Sequence, residues 1–306
     1  MKHTPLDPLI LWKTCERPPE WERRFGRRAR LELEIGYGGG DWLVRCAREH
    51  PERNFVGIET QWPCTKRALK KIRTAGLENV RLLQMDARVA LQRMFRERSL
   101  AAITSLFPCP WPKERHARHR LFTTAFLKLA ASRLEDGGRL LVVTDAEPLA
   151  AWIETQAPGS GLAFSHRLVA PRFETKYERK WRGLGQSEFF EISLTKEEHP
   201  PLPLLEDQPL QAHRLERFDP EIFRPRDLSE ESLHVAFKDF LYDPRRRRAM
   251  LLAVVVEDPL EQTFWVEIAE HEGGWRVRPA RGSGVVPTPG VQRALDRVRD
   301  EATRSG

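Results

Sequence analysis

The chain of 306 residues contains only four cysteines, Cys15, Cys46, Cys64 and Cys109, and no two of them form a CxxC pair. That scarcity excludes a zinc ribbon and a disulfide framework. A reducing, cytoplasmic setting is the expectation. Long apolar runs are missing as well: the longest aliphatic stretch, Leu251 to Val256, is far too short to cross a bilayer. The opening, MKHTPLDPLI, has no basic segment followed by an apolar one, so neither secretion nor membrane insertion is expected. Repeats and low-complexity arrays are also absent. With 31% charged and 40% hydrophobic residues, the composition is that of neither a disordered nor a fibrous chain.

What is present begins with length. About 150 residues per domain predicts about two domains, and a chain this long buries roughly three-quarters of its unfolded surface without disulfides. Charge divides it unevenly. Residues 1–199 carry 35 Lys and Arg against 25 Asp and Glu, whereas residues 200–306 carry 16 against 19. A basic excess confined to one part predicts a polyanionic partner there, with nucleic acid the commonest. The expected organisation is a first domain over 1–199, a proline-rich linker over 200–212 and a small α+β domain over 213–306.

Short apolar strands alternate with longer helical patterns through the first domain. Strands are expected at Leu31–Ile35, Phe55–Ile58, Val80–Met85, Leu100–Phe107 and Arg139–Val143. Helical patterns lie between them, the last over Leu121–Leu134. This alternation predicts an α/β fold with a parallel, doubly wound, Rossmann-like sheet and ligands at the strand carboxyl ends. In the second domain Leu228–Leu241 reads as a helix, followed by three β-rich runs and a closing helix near Val291–Val298. No catalytic constellation is visible there.

Gly36, Gly38 and Gly40 follow the first of those strands as GxGxG, but Asp41 stands where a dinucleotide fingerprint requires its third glycine. Asp41 and the preceding Glu34 repel a pyrophosphate and suit a cationic, phosphate-free ligand. S-adenosylmethionine, with its sulfonium and amino group, is such a ligand. Glu59 and Asp86 end the next two strands and are placed for its ribose hydroxyls and its adenine amine. A glycine turn with solvated acids around it is the bland alternative for the loop alone; three acids at three successive strand ends count against it.

These residues resemble the bacterial tRNA (guanine-N7)-methyltransferases. The resemblance rests on LELEIGYGGG (31–40), VGIE (56–59), NVRLLQMDA (79–87), FPCPWPKERH (107–116), TD (144–145) and TKYERKWRGLGQ (175–186), in family order. It implies a methyltransferase fold, S-adenosylmethionine as cofactor held by Glu34, Glu59 and Asp86, and tRNA as partner. It also implies substrate contacts from Lys113, Asp145, Thr175, Lys176, Tyr177 and Glu178. Guanine N7 carries a free lone pair and no proton, so methyl transfer requires in-line placement rather than a general base. Asp145 and Glu178 can accept hydrogen bonds from the guanine edge, although either can instead be an N-cap or an ion-pair partner.

Two positions depart from the family pattern, and the C-terminal domain of about 100 residues is a further departure from the compact family form. The active-site aspartate of its proline-tryptophan loop is replaced by Cys109, a weak hydrogen-bonding group, and Glu114 stands in place of a basic residue. Cys109 therefore leaves two alternatives beside the tRNA enzyme: a diverged homologue that binds S-adenosylmethionine and RNA without catalysis, and a methyltransferase for a different RNA or a protein. Basic clusters lie at Arg23–Arg30, Lys66–Arg73, Lys113–Arg120 and Arg172–Arg182. The second can be only a solvated helix face; the last two flank the expected pocket and suit phosphates. Arg245–Arg248, in the acidic tail domain, fits an RNA or protein partner or an exposed turn paired with local acids.

Overall fold

Leu33, Val56, Leu82 and Ile103, each at most 2% exposed, mark the centres of four adjacent strands covered on both faces, the pattern of a parallel sheet between helical layers. The computed structural model describes residues 6–111 and 113–304; Pro112 of the proline-rich loop lies outside the described residues. Contacts divide the chain into two compact units, Met1–Leu205 and Glu206–Gly306.

The first unit runs β1 (Leu9–Ile10), α1 (Trp21–Phe25), β2 (Leu31–Ile35), α2 (Asp41–Glu49), β3 (Asn54–Glu59), α3 (Trp62–Thr74), β4 (Val80–Gln84), α4 (Ala87–Arg93) and β5 (Leu100–Leu106). A 3-10 turn at Glu114–His119 precedes α5 (Thr124–Arg133), β6 (Leu134–Thr144), α6 (Glu147–Gln156), β7 (Leu162–Val169), α7 (Lys176–Gly183) and β8 (Phe189–Lys196). The strand order is β1-β4-β3-β2-β5-β6-β8-β7. From β2 the chain builds outward first through β3 and β4, then on the other side through β5 and β6, all parallel. The order therefore reverses between β2 and β5, and a ligand crevice is expected at their carboxyl ends.

The sheet is not wholly parallel, as the sequence suggested. β8 pairs antiparallel with both β6 and β7. β7 is an edge strand, largely exposed over Ser165–Leu168, so its composition lacks the apolar run by which a buried strand is recognised.

The first half of the proline-rich segment is fastened to this unit. Arg133 is 0% exposed. Its guanidinium donates to the Leu91 carbonyl at 2.7 Å and to the Leu202 carbonyl at 2.6 Å. The Leu205 N–H donates to the Gln92 carbonyl at 2.9 Å.

The second unit is an antiparallel sheet in the order β10-β11-β12-β13-β14-β9, from β9 (His213–Leu215), β10 (Leu228–Glu230), β11 (Leu233–Asp243), β12 (Arg248–Glu257), β13 (Leu260–His271) and β14 (Gly274–Pro279). Helix α8 (Pro289–Arg304) covers one face with Val291, Ala294, Leu295 and Val298, all 0% exposed. The helix expected over Leu228–Leu241 is replaced by β10 and β11. A register shift between Phe237 and Phe240 explains the misreading. Val235, Phe237, Phe240 and Tyr242 all pack on one core, and the irregularity places two of them three residues apart, as in a helix. Among Arg245–Arg248, three side chains take local acids: Arg246 with Asp243, Arg247 with Glu270 and Arg248 with Glu267, at 3.7, 2.6 and 2.5 Å. No described helix of either unit is long and apolar enough to cross a membrane.

Candidate active site

The turn from β2 into α2 requires glycine for two reasons. Gly36, Gly38 and Gly40 have φ of 74°, 53° and 76°, the left-handed region that side chains avoid. A Cβ on Gly40 would also lie 2.9 Å from the Cβ of Ala68, so α2 and α3 approach closely only without it. This turn forms the floor of a cleft of about 230 Å³, whose lining includes Glu34, Gly36, Gly38, Asp41, Arg67 and Lys71.

Glu34 is 5% exposed, and its Oε2 has no hydrogen-bond partner. Burial pushes its pKa up to about 8, with Asp41 and then Glu59 adding like-charge repulsion and the Leu43 backbone N–H opposing. A buried, unsatisfied carboxyl facing a cleft is costly unless a ligand completes it. Asp41 is already engaged, by Lys71 at 2.5 Å and by Arg179 at 3.7 Å. An ammonium group on the ligand would supply what Glu34 lacks, so the donor set fits the amino-acid end of S-adenosylmethionine.

Gly36 also lines a neighbouring cleft of about 360 Å³, with Glu59, Asp86, Arg88, Trp111 and His119 among its other walls. Glu59 takes the N–H groups of Gly38, Thr60 and Gln61 at 3.1, 2.9 and 3.1 Å; it holds the glycine turn while facing the cleft. Asp86 N-caps α4, accepting the Arg88 N–H at 2.7 Å, and its other oxygen pairs with the Arg88 guanidinium at 3.1 Å. The three strand-end acids are thus divided, Glu34 in one cleft and Glu59 with Asp86 in the next. A ligand with an ammonium end and a nucleoside end spans them across Gly36.

Helix α7 and its N-cap form the far wall of the first cleft through Thr175, Lys176, Tyr177 and Arg179. Glu178 does not line it. That side chain is fully buried and its carboxylate accepts the backbone N–H groups of Arg172 at 2.7 Å, Phe173 at 3.0 Å and Glu174. Thr175 in turn caps the helix, accepting the Glu178 N–H at 3.1 Å. The expected contact between Glu178 and a guanine edge is corrected accordingly: both oxygens are committed to the loop that presents α7, and the residue is a positioning one. Glu178→Ala leaves three donors without acceptors, and at about 1 kcal/mol or more for each it is expected to lower thermal stability by about 3 kcal/mol. A melting temperature within 2 °C of the parent by calorimetry would contradict this assignment.

The proline-tryptophan loop runs from Leu106, in the first cleft, to Trp111, in the second. Phe107 and Trp111 both have left-handed φ, 53° and 43°, and Arg120 donates to the Trp111 carbonyl at 3.1 Å. Cys109 lies on this crossing, exposed and without a disulfide, but lines neither cleft. Lys113 is exposed at the start of the 3-10 turn. Asp145 follows β6 at the same carboxyl edge of the sheet and makes no side-chain hydrogen bond or ion pair among the described residues. Sequence reasoning missed Arg88, His119 and the Asp41–Arg179 contact. The last two depend on loop and helix placement; Arg88 was accessible, since Asp86 directly before an apolar helix is an N-cap signal. Among the described residues no group of His, Cys, Asp and Glu is arranged to hold a metal.

Residues 28–190 match a sequence family described as a putative methyltransferase. The chain is 30% identical over 300 residues to a protein of Thermotoga maritima named tRNA (guanine-N(7)-)-methyltransferase, covering 94% of both. Proteins of the same name from Thermus thermophilus and Deinococcus radiodurans are 31% and 34% identical, covering 94% and 88% of this chain and 94% and 87% of their own lengths. The second unit is thus shared with relatives rather than peculiar to this chain. By these similarities the chain belongs to the tRNA (guanine-N7)-methyltransferase family.

Proposed function

We propose that this protein is an S-adenosylmethionine-dependent enzyme that forms N7-methylguanosine in the variable loop of tRNA. The carrying observation is the unpartnered buried oxygen of Glu34 in a cleft at the sheet's reversal point, walled on its other side by the segment that the family resemblance assigns to substrate. When bound, S-adenosylmethionine supplies a methyl group on a positively charged sulfur. Glu34 holds the ammonium end; Glu59 and Asp86 face the ribose and adenine end. No residue has to remove a proton from guanine N7, so the side chains act by positioning, which is worth about 7–11 kcal/mol of barrier in well-oriented reactions. Asp145 is free to accept from the guanine edge, Lys113 to contact phosphate, and Thr175, Lys176 and Tyr177 to close on the nucleotide from α7. Glu178 keeps that helix in place.

The net charge of +10 over residues 1–199 suits the RNA backbone, and about four phosphate contacts give a log-log salt slope near −3 for tRNA binding. The reading is tested by mapping N7-methylguanosine in tRNA from cells with and without the protein; an unchanged map removes it. Glu59→Ala, which loses charge-assisted bonds worth about 1.5–3 kcal/mol, is expected to weaken cofactor binding at least roughly tenfold by calorimetry. Full affinity in that folded variant would move the nucleoside subsite elsewhere.

A further inference from the structure

Helix α3 carries five cations, Lys66, Arg67, Lys70, Lys71 and Arg73, and not one Asp or Glu. Its apolar side is spent on the core through Ala68, Leu69 and Ile72, none more than 1% exposed. The remaining circumference is organised. Arg67 and Lys71, one turn apart, reach the first cleft. Trp62, Lys66, Lys70 and Arg73, spaced four, four and three residues apart, form a second stripe.

This outer stripe differs from an ordinary solvated helix face in two respects. Lys66 and Lys70 are exposed and have no ion-pair partner among the described residues, although interspersed opposite charge is what such faces usually carry. Trp62, at its head, is 44% exposed, a large ring left in water just after Glu59 and therefore at the carboxyl edge of the sheet where the two clefts open. An exposed aromatic leading a row of cations is the combination that single-stranded nucleic acid selects: the ring takes a base face and the ammonium groups take successive phosphates.

We infer that this stripe is an RNA-binding surface for unpaired nucleotides flanking the target, with Trp62 stacking on a base and Lys66 and Lys70 contacting the backbone as it leaves the cleft. The inference rests on tRNA being the substrate. Continuity supports the direction of the path, since Arg67 on the same helix and Lys176 on α7 line the first cleft beside the Lys71 and Arg179 that pair with Asp41, so cations continue from the cleft to the point where the stripe begins. The fold needs neither Trp62 nor the two lysines for its core, so their substitution leaves folding intact.

The test compares full-length parent, Trp62→Ala, Trp62→Phe and Lys66→Ala/Lys70→Ala, binding an unmodified tRNA transcript over a salt series. Cofactor calorimetry and single-turnover methyl transfer at saturating tRNA are run alongside. Trp62→Ala is expected to weaken tRNA binding at least roughly fivefold, with Trp62→Phe keeping most of the affinity because any ring offers a face to stack on. The double lysine variant is expected to lose roughly tenfold and to make the salt slope less negative by about 1 to 2. Cofactor affinity and the saturated transfer rate stay at parental values. Parental tRNA affinity and slope in both the Trp62→Ala and the double lysine variants, while the parent protein forms N7-methylguanosine, overturns the inference and leaves the stripe a solvated face. If instead the parent forms no N7-methylguanosine but binding still depends on Trp62 and the lysines, the surface stands and the reaction assigned above falls.

Discussion

Glu34→Gln is expected to cripple cofactor binding and, at the same time, to stabilise the ligand-free protein at alkaline pH. Both effects come from one carboxyl. Its pKa rises from 4.5 to about 8 on folding, so between these values the native state holds a proton that the unfolded state has released. Stability of the ligand-free protein therefore falls as pH rises through that window, by about 1.4 kcal/mol per unit where the two states differ fully. Glutamine removes the slope. Calorimetric melting of the ligand-free proteins from pH 6 to 8 should show a decline in the parent that the variant lacks. Cofactor affinity moves the opposite way, because the ammonium end requires the ionised carboxylate. Over the same range the dissociation constant of the parent should fall by up to about tenfold per pH unit, with up to one proton released per molecule bound. The variant, without a charge to offer, should bind roughly thirty- to hundredfold more weakly at pH 8, the equivalent of about 2–3 kcal/mol for a charge-assisted contact. Equal affinities, or a parental affinity indifferent to pH, would remove Glu34 from the cofactor site.

The second large effect concerns Cys109. Its loop carries two left-handed residues, Phe107 and Trp111, and passes from the first cleft to the second with Cys109 on the crossing. A thiol there donates and accepts weakly. Cys109→Asp is expected to accelerate single-turnover methyl transfer by about 10²- to 10³-fold, the usual worth of one preorganised electrostatic contact, while cofactor binding stays unchanged because Cys109 lines neither cleft. Mass-spectrometric identification of the product nucleoside separates N7 methylation from transfer elsewhere. A fast parental enzyme slowed by the aspartate would mean that the thiol is itself adapted to the reaction.

The sequence was most legible where local chemistry and global fold require the same residues. β2 and its glycine turn illustrate this: the apolar run, the left-handed turn and the helix start each leave a separate mark, so the amino-acid sequence alone locates the crevice. Glu34 could be placed there, but its raised pKa depends on Asp41 and Leu43 of α2 and Glu59 of β3 converging on it as it is buried, which no spacing rule encodes. Glu178 was partly legible, since Thr175 and Glu178 three apart are a capping signature. The resemblance to substrate-binding residues outweighed that signal, and the three backbone donors of Arg172–Glu174 decide the matter. The β11 misreading has a different origin, since an irregular strand borrows the spacing of a helix.

Arg133 carries a practical lesson about where this protein can be cut. A guanidinium sealed from water needs its acceptors, and one of them is the carbonyl of Leu202, beyond the residue at which composition alone would end the first domain. A fragment stopping at residue 199 would leave that guanidinium the Leu91 carbonyl but remove those of Leu202 and Pro203, whereas one stopping after Leu205 would keep them all. The prolines on either side of Leu202 therefore work as the closing seam of the first unit, and a protease nick there should loosen the helix α5 layer.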